Sequence, residues 1–243
     1  MTVEDFNTDK GLYIFKFDNF ETVYHSHPAI EIILAENGTF TLWTQNSEYQ
    51  NLKFALVEAN QKHKLSSTNC ELKVIMIEHH KKFVKEILVL NGINSEMGFY
   101  FQTTKGNEKK IIQEIIQKIK NYEFLMEYDE RILATIKYLN NNKLEYKQMI
   151  KTLQSVTNLS ESRLSHLFTS NLGISLKKYL IWTKLKLTIK QHLNGKDDLF
   201  SSLISSGFYD QPHFSKSFKS MLGVKASKAY NSRTLQVSTI LTL

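Results

Sequence analysis

The chain of 243 residues has one cysteine, two prolines and nine glycines. With Cys70 alone, no disulfide can form within the chain, and such sparing use of cysteine is typical of a reducing compartment. No apolar run approaches the length of a transmembrane helix, and residues 1–6 lack the basic start and apolar stretch of a signal peptide. We therefore expect a cytoplasmic protein without a membrane partner.

Positive charge is concentrated in the second half of the chain. Residues 127–243 contain 17 Lys and Arg against 8 Asp and Glu, a formal charge of +9, whereas residues 1–126 contain 14 against 16, a formal charge of −2. A basic surplus confined to one region is typical of a protein that binds a polyanion such as nucleic acid. The length and an apolar content of 42% also allow two domains.

Short strands are expected near the beginning of the chain. Between residues 10 and 80, segments rich in β-branched and aromatic residues alternate with turn residues such as Asn37 and Gly38. Their even spacing predicts a small barrel or sandwich. The segments are residues 12–17, 30–34, 39–43, 54–57 and 72–77.

A helical pattern follows from residue 107 to residue 126. One flank of its wide apolar stripe, which includes Ile111, Ile115 and Ile119, can cover the barrel, and the other flank can pair with a second subunit to form a homodimer. A helix that packs only on its own domain is an equally good interpretation. We expect the linker between residues 121 and 129, which predicts domains at 1–126 and 127–243.

The second half contains one pattern twice: a short amphipathic helix, a tight turn, and a capped helix with a polar outer face. In the first copy Ser160 is the expected N-cap and Gly173 the expected C-cap. In the second copy Gly207 supplies the turn and Asp210 the N-cap. One long helix, residues 175–193, joins the copies. In a helix-turn-helix the second helix enters the major groove of DNA, so the pattern predicts two such helices.

The second half resembles the AraC/XylS transcription regulators. Residues 207–219, from Gly207 through Phe214 to Phe218 and Lys219, are similar to the family's motif, which ends at a second glycine matched by Gly223. The resemblance covers residues 129–230. It implies sequence-specific binding to double-stranded DNA, RNA polymerase as a protein partner, and no enzymatic activity.

The resemblance also implies which residues contact DNA. A Gln side chain can pair bidentately with adenine and Lys with guanine, whereas Ser is permissive and Pro offers only apolar contact. We therefore expect the first unit to discriminate bases less than the second. The expected base contacts are Ser162, Ser165, His166, Gln211, Pro212 and Lys216, and the expected phosphate contacts are Ser160, Arg163, Ser215 and Lys219.

A second resemblance lies in the first half. His25, His27, Glu31 and Gly38 have the spacing of the first cupin motif, and His63 is what remains of the second motif. Many AraC-type regulators carry such a barrel as a sensor. The ligand set could bind a divalent metal, but we favour a metal-free pocket for a small organic effector with an anionic group. The expected lining is His25, His27, Glu31, Trp43 and His63.

Two alternatives remain open. One is a cupin-type metal enzyme that uses the three histidines and Glu31, although it leaves the basic surplus unexplained. The other is a regulator with no small ligand, controlled by a protein partner or by its abundance. We favour an α+β fold, with a cupin-like β-barrel followed by helices and then an all-α domain of two helix-turn-helix units joined by a long helix. The expected function is a transcription regulator without catalytic residues, metal or cofactor.

Overall fold

The computed structural model describes residues 2–78, 81–104, 106–121, 128–141, 146–195, 198–227 and 236–237. The chain divides into two compact units, one of Met1–Phe124 together with Lys219–Leu243, and one of Leu125–Phe218. The expected domain boundary after residue 126 lies outside the described residues and stays a prediction.

The first unit is built on two sheets. Seven strands form the larger sheet in the order β10-β1-β2-β8-β3-β6-β9, and three form the smaller sheet in the order β5-β4-β7. All neighbours are antiparallel except β1 and β10. The strands are β1 Thr2–Asn7, β2 Leu12–Asp18, β3 Ile30–Ala35, β4 Phe40–Trp43, β5 Glu48–Leu52, β6 Phe54–Val57, β7 Lys64–Ser67, β8 Glu71–Ile77, β9 Phe99–Gln102 and β10 Gln236–Val237.

The core lies between the larger sheet and two helices. Ile32 of β3 faces Leu56 and Ile75 across the neighbouring strands, and all three side chains are buried. Helix α1, Lys81–Leu90, and helix α2, Glu108–Asn121, add their apolar faces to this cluster. Because β3 lies in the middle of the sheet and is almost fully buried, side chains at its start are held away from water.

Helix α2 uses its apolar stripe within its own unit. Ile111, Ile112, Ile115 and Ile119 are all buried in the core between the larger sheet and the two helices, and Ile116 packs partly against it. The structure therefore supports the interpretation that this helix covers its own domain. Residues 122–126, the end of the expected helix, lie outside the described residues.

The second unit is helical. The expected caps at residues 160, 173 and 210 and the expected long helix at 175–193 agree with its helices, and the fold class predicted from the sequence, β structure followed by an all-α part, is confirmed. The helices are α3 Glu130–Asn141, α4 Tyr146–Thr157, α5 Glu161–Leu172, α6 Leu176–Leu193, α7 Leu199–Ser205 and α8 Gln211–Leu222, the last of which continues into the first unit.

Helix α6 buries one of its lysines. Nζ of Lys186 lies 5.6 Å from the ring centroid of Tyr179 and 5.9 Å from that of Trp182. The ammonium faces two aromatic rings, which attract a cation through their quadrupoles. Thr183 and Thr188 are buried on the same helix, so periodicity of polar residues does not mark its exposed face.

Among the helices of the described residues, none combines the length and the apolarity needed to cross a bilayer.

Replacing Ile115 by alanine tests the packing of α2. The side chain is fully buried, so Ile115→Ala should lower the free energy of unfolding of the first unit by about 2–5 kcal/mol. Urea denaturation of the full chain measures the loss. Gln113→Ala, at an exposed position of the same helix, is the matched control and should change stability by less than about 0.5 kcal/mol. Equal effects would contradict the packing described here.

Candidate functional site

The first helix-turn-helix unit comprises α4, a turn and α5. Asn158 in the turn has a positive φ of 53°. Ser160 caps α5, with its hydroxyl accepting from the N–H of Arg163 at 3.4 Å, as expected. Gly173 ends the helix with a φ of 68°, and its N–H donates to the carbonyl of Thr169. Local hydrogen bonds therefore define both ends of α5.

The outer face of α5 is available to a partner. Ser162, Arg163 and His166 are exposed, and Ser165 is half-buried. Leu164 and Phe168 occupy the opposite face and are buried. Ser160 is exposed as well, and because its oxygen accepts the capping bond, its hydroxyl hydrogen is still available for a phosphate.

The second helix-turn-helix unit comprises α7, a turn at Gly207 and α8. Asp210 caps α8 by accepting from the N–H of His213 at 2.7 Å, and Phe214 packs edge-on against Phe208. Lys184 of α6 donates through Nζ to the carbonyl of Gly207 at 2.6 Å. Helix α6 is thus hydrogen-bonded to the turn of the second helix-turn-helix unit.

The outer face of α8 is accessible along its length. Gln211, Pro212, Lys216 and Lys219 are exposed, and Ser215 is half-buried. All ten side chains expected to contact DNA therefore lie outside the core. Their contacts with bases or phosphates stay a prediction.

The histidine cluster is formed by His25, His27, Glu31 and His63. One potential ligand atom from each of them lies within 4.8 Å of the others, and all four residues are buried. A pair of backbone hydrogen bonds between His25 and His63, of 2.9 and 3.0 Å, brings the two segments together. Glu31 stands near the start of β3, and its Oε2 lies 2.9 Å from His27 Nε2 and 2.8 Å from His63 Nε2.

The backbone determines the tautomer of each imidazole. Nδ1 of His25, His27 and His63 lies 2.9, 3.1 and 3.0 Å from a backbone carbonyl oxygen. A carbonyl can only accept, so each Nδ1 carries the hydrogen, and in a neutral ring Nε2 keeps its lone pair. The three carbonyls belong to Val23, Ala29 and Gln61. Sequence reasoning missed them because a backbone carbonyl has no sequence signal.

Two of these ring nitrogens face a carboxylate. Nε2 of His63 and Nε2 of His27 lie 2.8 and 2.9 Å from Glu31 Oε2. Lone pairs at this distance repel unless a cation, either a proton or a metal ion, lies between or beside them. The cluster is therefore arranged around a positive charge.

Burial and charge shift the pKa values in opposite directions. Burial, reinforced by His63, lowers the pKa of His25 to about 3, so this ring is neutral near pH 7. Burial raises the pKa of Glu31, but His63 and His27 outweigh it and hold the pKa well below its ordinary value. A neutral imidazole and an ionised carboxylate are the forms that bind metals.

Trp43 and the neighbouring lysines have other contacts. Nζ of Lys64 lies 4.6 Å from the ring centroid of Trp43 and 4.0 Å from Glu21, and Nζ of Lys62 lies 5.8 Å from the ring centroid of Tyr24. Of the five residues expected to line the pocket, the structure brings His25, His27, Glu31 and His63 together. The low pKa of His25 argues against a protonated partner for an anionic effector.

The spacing of the donors suits a metal ion. Two donors that share an ion at about 2.1 Å lie roughly 3–4 Å apart, which agrees with a set within 4.8 Å. Histidine nitrogen with one carboxylate suits zinc, iron or manganese. The three carbonyls on Nδ1 are the outer-shell acceptors that metal-binding histidines generally have.

Comparison with known proteins bears on the helical part. Residues 153–231 match a family described as a helix-turn-helix domain. The chain carries an AraC-type helix-turn-helix domain. The match covers about one third of the chain and includes the end of α4 and the helices α5 to α8. The resemblance stated from residues 129–230 is confirmed for this domain.

Most of the chain also shares its fold with a solved protein. A 1.65 Å structure of ToxT from Vibrio cholerae is 15% identical, with a TM-score of 0.55 over 89% of this chain and 96% of that one. ToxT with bound unsaturated fatty acid is 16% identical, with a TM-score of 0.53 over 89% and 93%. At this identity the likeness shows the fold alone. Among curated proteins, no sequence matches this chain.

The low pKa of His25 predicts acid sensitivity of the metal-free protein. The unfolded chain binds a proton here near pH 6.5, the folded chain only near pH 3, so stability is present above pH 6.5 and is lost as pH falls toward 3. Lowering the pH from 7 to 5 should therefore reduce the free energy of unfolding by about 2 kcal/mol through this group.

The matched variants isolate that contribution. In chelator-treated protein, His25→Gln should remove about this much of the pH dependence of urea unfolding, and His166→Gln, at an exposed histidine, should leave it unchanged. A wild-type pH dependence retained in His25→Gln would contradict the assignment.

Proposed function

We propose that the chain is a sequence-specific DNA-binding transcription regulator that places α5 and α8 in the major groove. The observation that carries the proposal is the helix-turn-helix domain match over residues 153–231, in which the outer faces of both second helices are exposed. The formal charge of +9 on residues 127–243 supplies the attraction to phosphate.

The two helix-turn-helix units differ in the bases that they can discriminate. Gln211 and Lys216 offer donors suited to adenine and guanine, whereas Ser162 and Ser165 form hydrogen bonds that several bases accept. The second unit would therefore supply most of the sequence preference, and the first would add affinity and register. RNA polymerase contact and homodimerisation stay predictions. The isoleucine stripe of α2, the face considered for a homodimer, packs within the first compact unit.

The DNA-binding proposal is tested on the full chain with a duplex selected from a random pool. Gln211→Ala and Lys216→Ala should each cost about 1–3 kcal/mol at the selected site and relax preference at one or two base pairs. Lys219→Ala should weaken selected and random duplexes alike, because a phosphate contact carries no sequence information. Equilibrium binding with both duplexes separates the two effects.

Controls for this experiment come from the same chain. Lys110→Ala removes one exposed positive charge from α2 and should leave the specific affinity nearly unchanged. Wild-type affinity should fall steeply with salt as counterions are released. Affinity that does not change with salt, or an equal loss from Ser162→Ala and Gln211→Ala, would refute the proposal or its ranking of the two units.

We further propose that the histidine cluster binds a divalent metal ion as the sensed ligand. The four donors are enclosed, three are prepared as Nε2 ligands, and the carboxylate needs a counter-charge. An organic effector needs space, and neither the cavity beside Tyr49 and Phe101 nor the one beside Lys81 and Val89 is lined by any of the four. A catalytic metal needs an open position for substrate, so enclosure favours sensing over the metal-enzyme alternative.

Metal binding is tested with Zn²⁺ alone. The metal-free full chain should bind one Zn²⁺ per chain in isothermal titration. Glu31→Gln, which keeps the shape but loses the charge, and His63→Ala should weaken binding by at least about tenfold, a loss typical even of outer-shell partners. Glu161→Gln and His166→Ala, at exposed positions, are the controls. No stoichiometric zinc in the wild type would leave the metal-free prediction standing.

A further inference from the structure

We propose that Gly223, immediately after α8, couples metal occupancy of the histidine cluster to the DNA-contacting helix α8. The proposal rests on the two functions proposed above. Its physical basis is a contact within the first unit between Gly223 and the chain segment that carries His25.

Gly223 is hydrogen-bonded to that segment. The N–H of Val23 donates to the carbonyl of Gly223 at 2.7 Å, and the N–H of Gly223 donates to the carbonyl of Lys219, one turn back in α8, at 3.0 Å. One residue therefore both ends the helix and binds the segment before the first ligand.

The contact also includes the imidazole. A Cβ added to Gly223 would lie 2.5 Å from Nδ1 of His25 and 2.7 Å from Cβ of Thr22. These distances are shorter than any contact a methyl group tolerates, and the φ of 72° is also unfavourable for other residues. Only glycine brings the backbone this close to the ring of a proposed ligand.

The segment beneath Gly223 is anchored at both ends. Thr22 exchanges two hydrogen bonds with Leu65, from its N–H at 2.9 Å and to its hydroxyl at 2.8 Å, and His25 is paired with His63 through the backbone. Between them, Val23 donates to Gly223 through its N–H and accepts from Nδ1 of His25 through its carbonyl. The imidazole of His25 is therefore bonded to the carbonyl of Val23, and the end of α8 is bonded to the N–H of the same residue.

Metal binding would act on this contact through the ring. An ion on Nε2 orients the imidazole and strengthens the Nδ1–H bond to its carbonyl acceptor, which fixes the surface against which Gly223 packs. Without the ion, the ring is free of that restraint. Metal binding and the contact between Gly223 and the His25 segment therefore stabilise one another. In this proposal DNA binds the same helix at Gln211 and Lys216, so DNA must change metal affinity by the same factor by which metal changes DNA affinity.

Gly173 shows that a helix-ending glycine does not need this contact. It ends α5 with nearly the same φ, 68°, and its N–H donates to Thr169. Gly173 is exposed, whereas Gly223 is buried. Both glycines end their helices in the same conformation, and Gly223 in addition contacts the segment that carries His25.

The coupling is measured as a cycle on the full chain. The dissociation constant of Zn²⁺ is determined with and without a saturating selected duplex, and that of the duplex with and without Zn²⁺. In the wild type both ratios should be equal and differ from one by at least about fivefold. Gly223→Ala should still bind one Zn²⁺ but bring both ratios within twofold of one.

Gly173→Ala is the matched control, since it imposes a similar strain at the end of α5. It should weaken DNA binding but keep the wild-type ratio. Hydrogen exchange of the wild type supplies a measurement that needs no variant: the Val23 amide should exchange at least fivefold more slowly with Zn²⁺ bound.

The outcomes separate the proposals. Ratios near one in a wild type that binds both zinc and DNA, a wild-type ratio retained in Gly223→Ala, or Val23 exchange unaffected by zinc would each overturn the coupling alone. Absence of zinc binding would overturn the metal site and the coupling with it. If Gly223→Ala fails to fold, the wild-type cycle and the exchange of Val23 decide the question.

Discussion

The buried carboxylate of Glu31 imposes the strongest constraint on the first unit. An ionised group removed from water is costly unless a compensating charge is close, and here two imidazole nitrogens lie within 3 Å of one oxygen. Glu31 is near the start of β3, an interior strand between β8 and β6, so its surroundings are determined by the sheet rather than by solvent. The backbone pairing of His25 with His63, the carbonyls that orient each ring, and the seat of Gly223 all surround this one charge.

The helical unit follows a different physical logic. Its second helices keep polar side chains in water and are defined by caps at Ser160 and Asp210, so each can meet DNA without rearranging the core. Between them, α6 buries Lys186 against aromatic rings and uses Lys184 to bind the turn at Gly207. Two positive charges of this basic half thus support the architecture, whereas Arg163, Lys216 and Lys219 stay exposed on the outer faces of α5 and α8.

Much of this could be predicted because it depends on local chemistry. Capping residues, the helical apolar stripes and the strands β2, β3 and β6 follow from short-range preferences and were placed within a residue or two. Strands β1, β5, β7 and β9 and helix α1 were not predicted. Strand β5, with the sequence EYQNL, illustrates the reason, since such polar strands are stabilised by pairing with a neighbour rather than by their own apolar alternation.

The sequence by itself determined that the second half carries two capped helices with polar outer faces, because caps and 3.6-residue periodicity are properties of adjacent residues. Its resemblance to the cupin motif also pointed to the histidines and Glu31. Only the tertiary structure decided that these four side chains form a buried cluster, that backbone carbonyls define the tautomers of the three histidines, and that Gly223 packs against His25. Those relations join residues up to about two hundred positions apart, and their distances are the result of the packing of sheets and chain segments, which no local preference encodes.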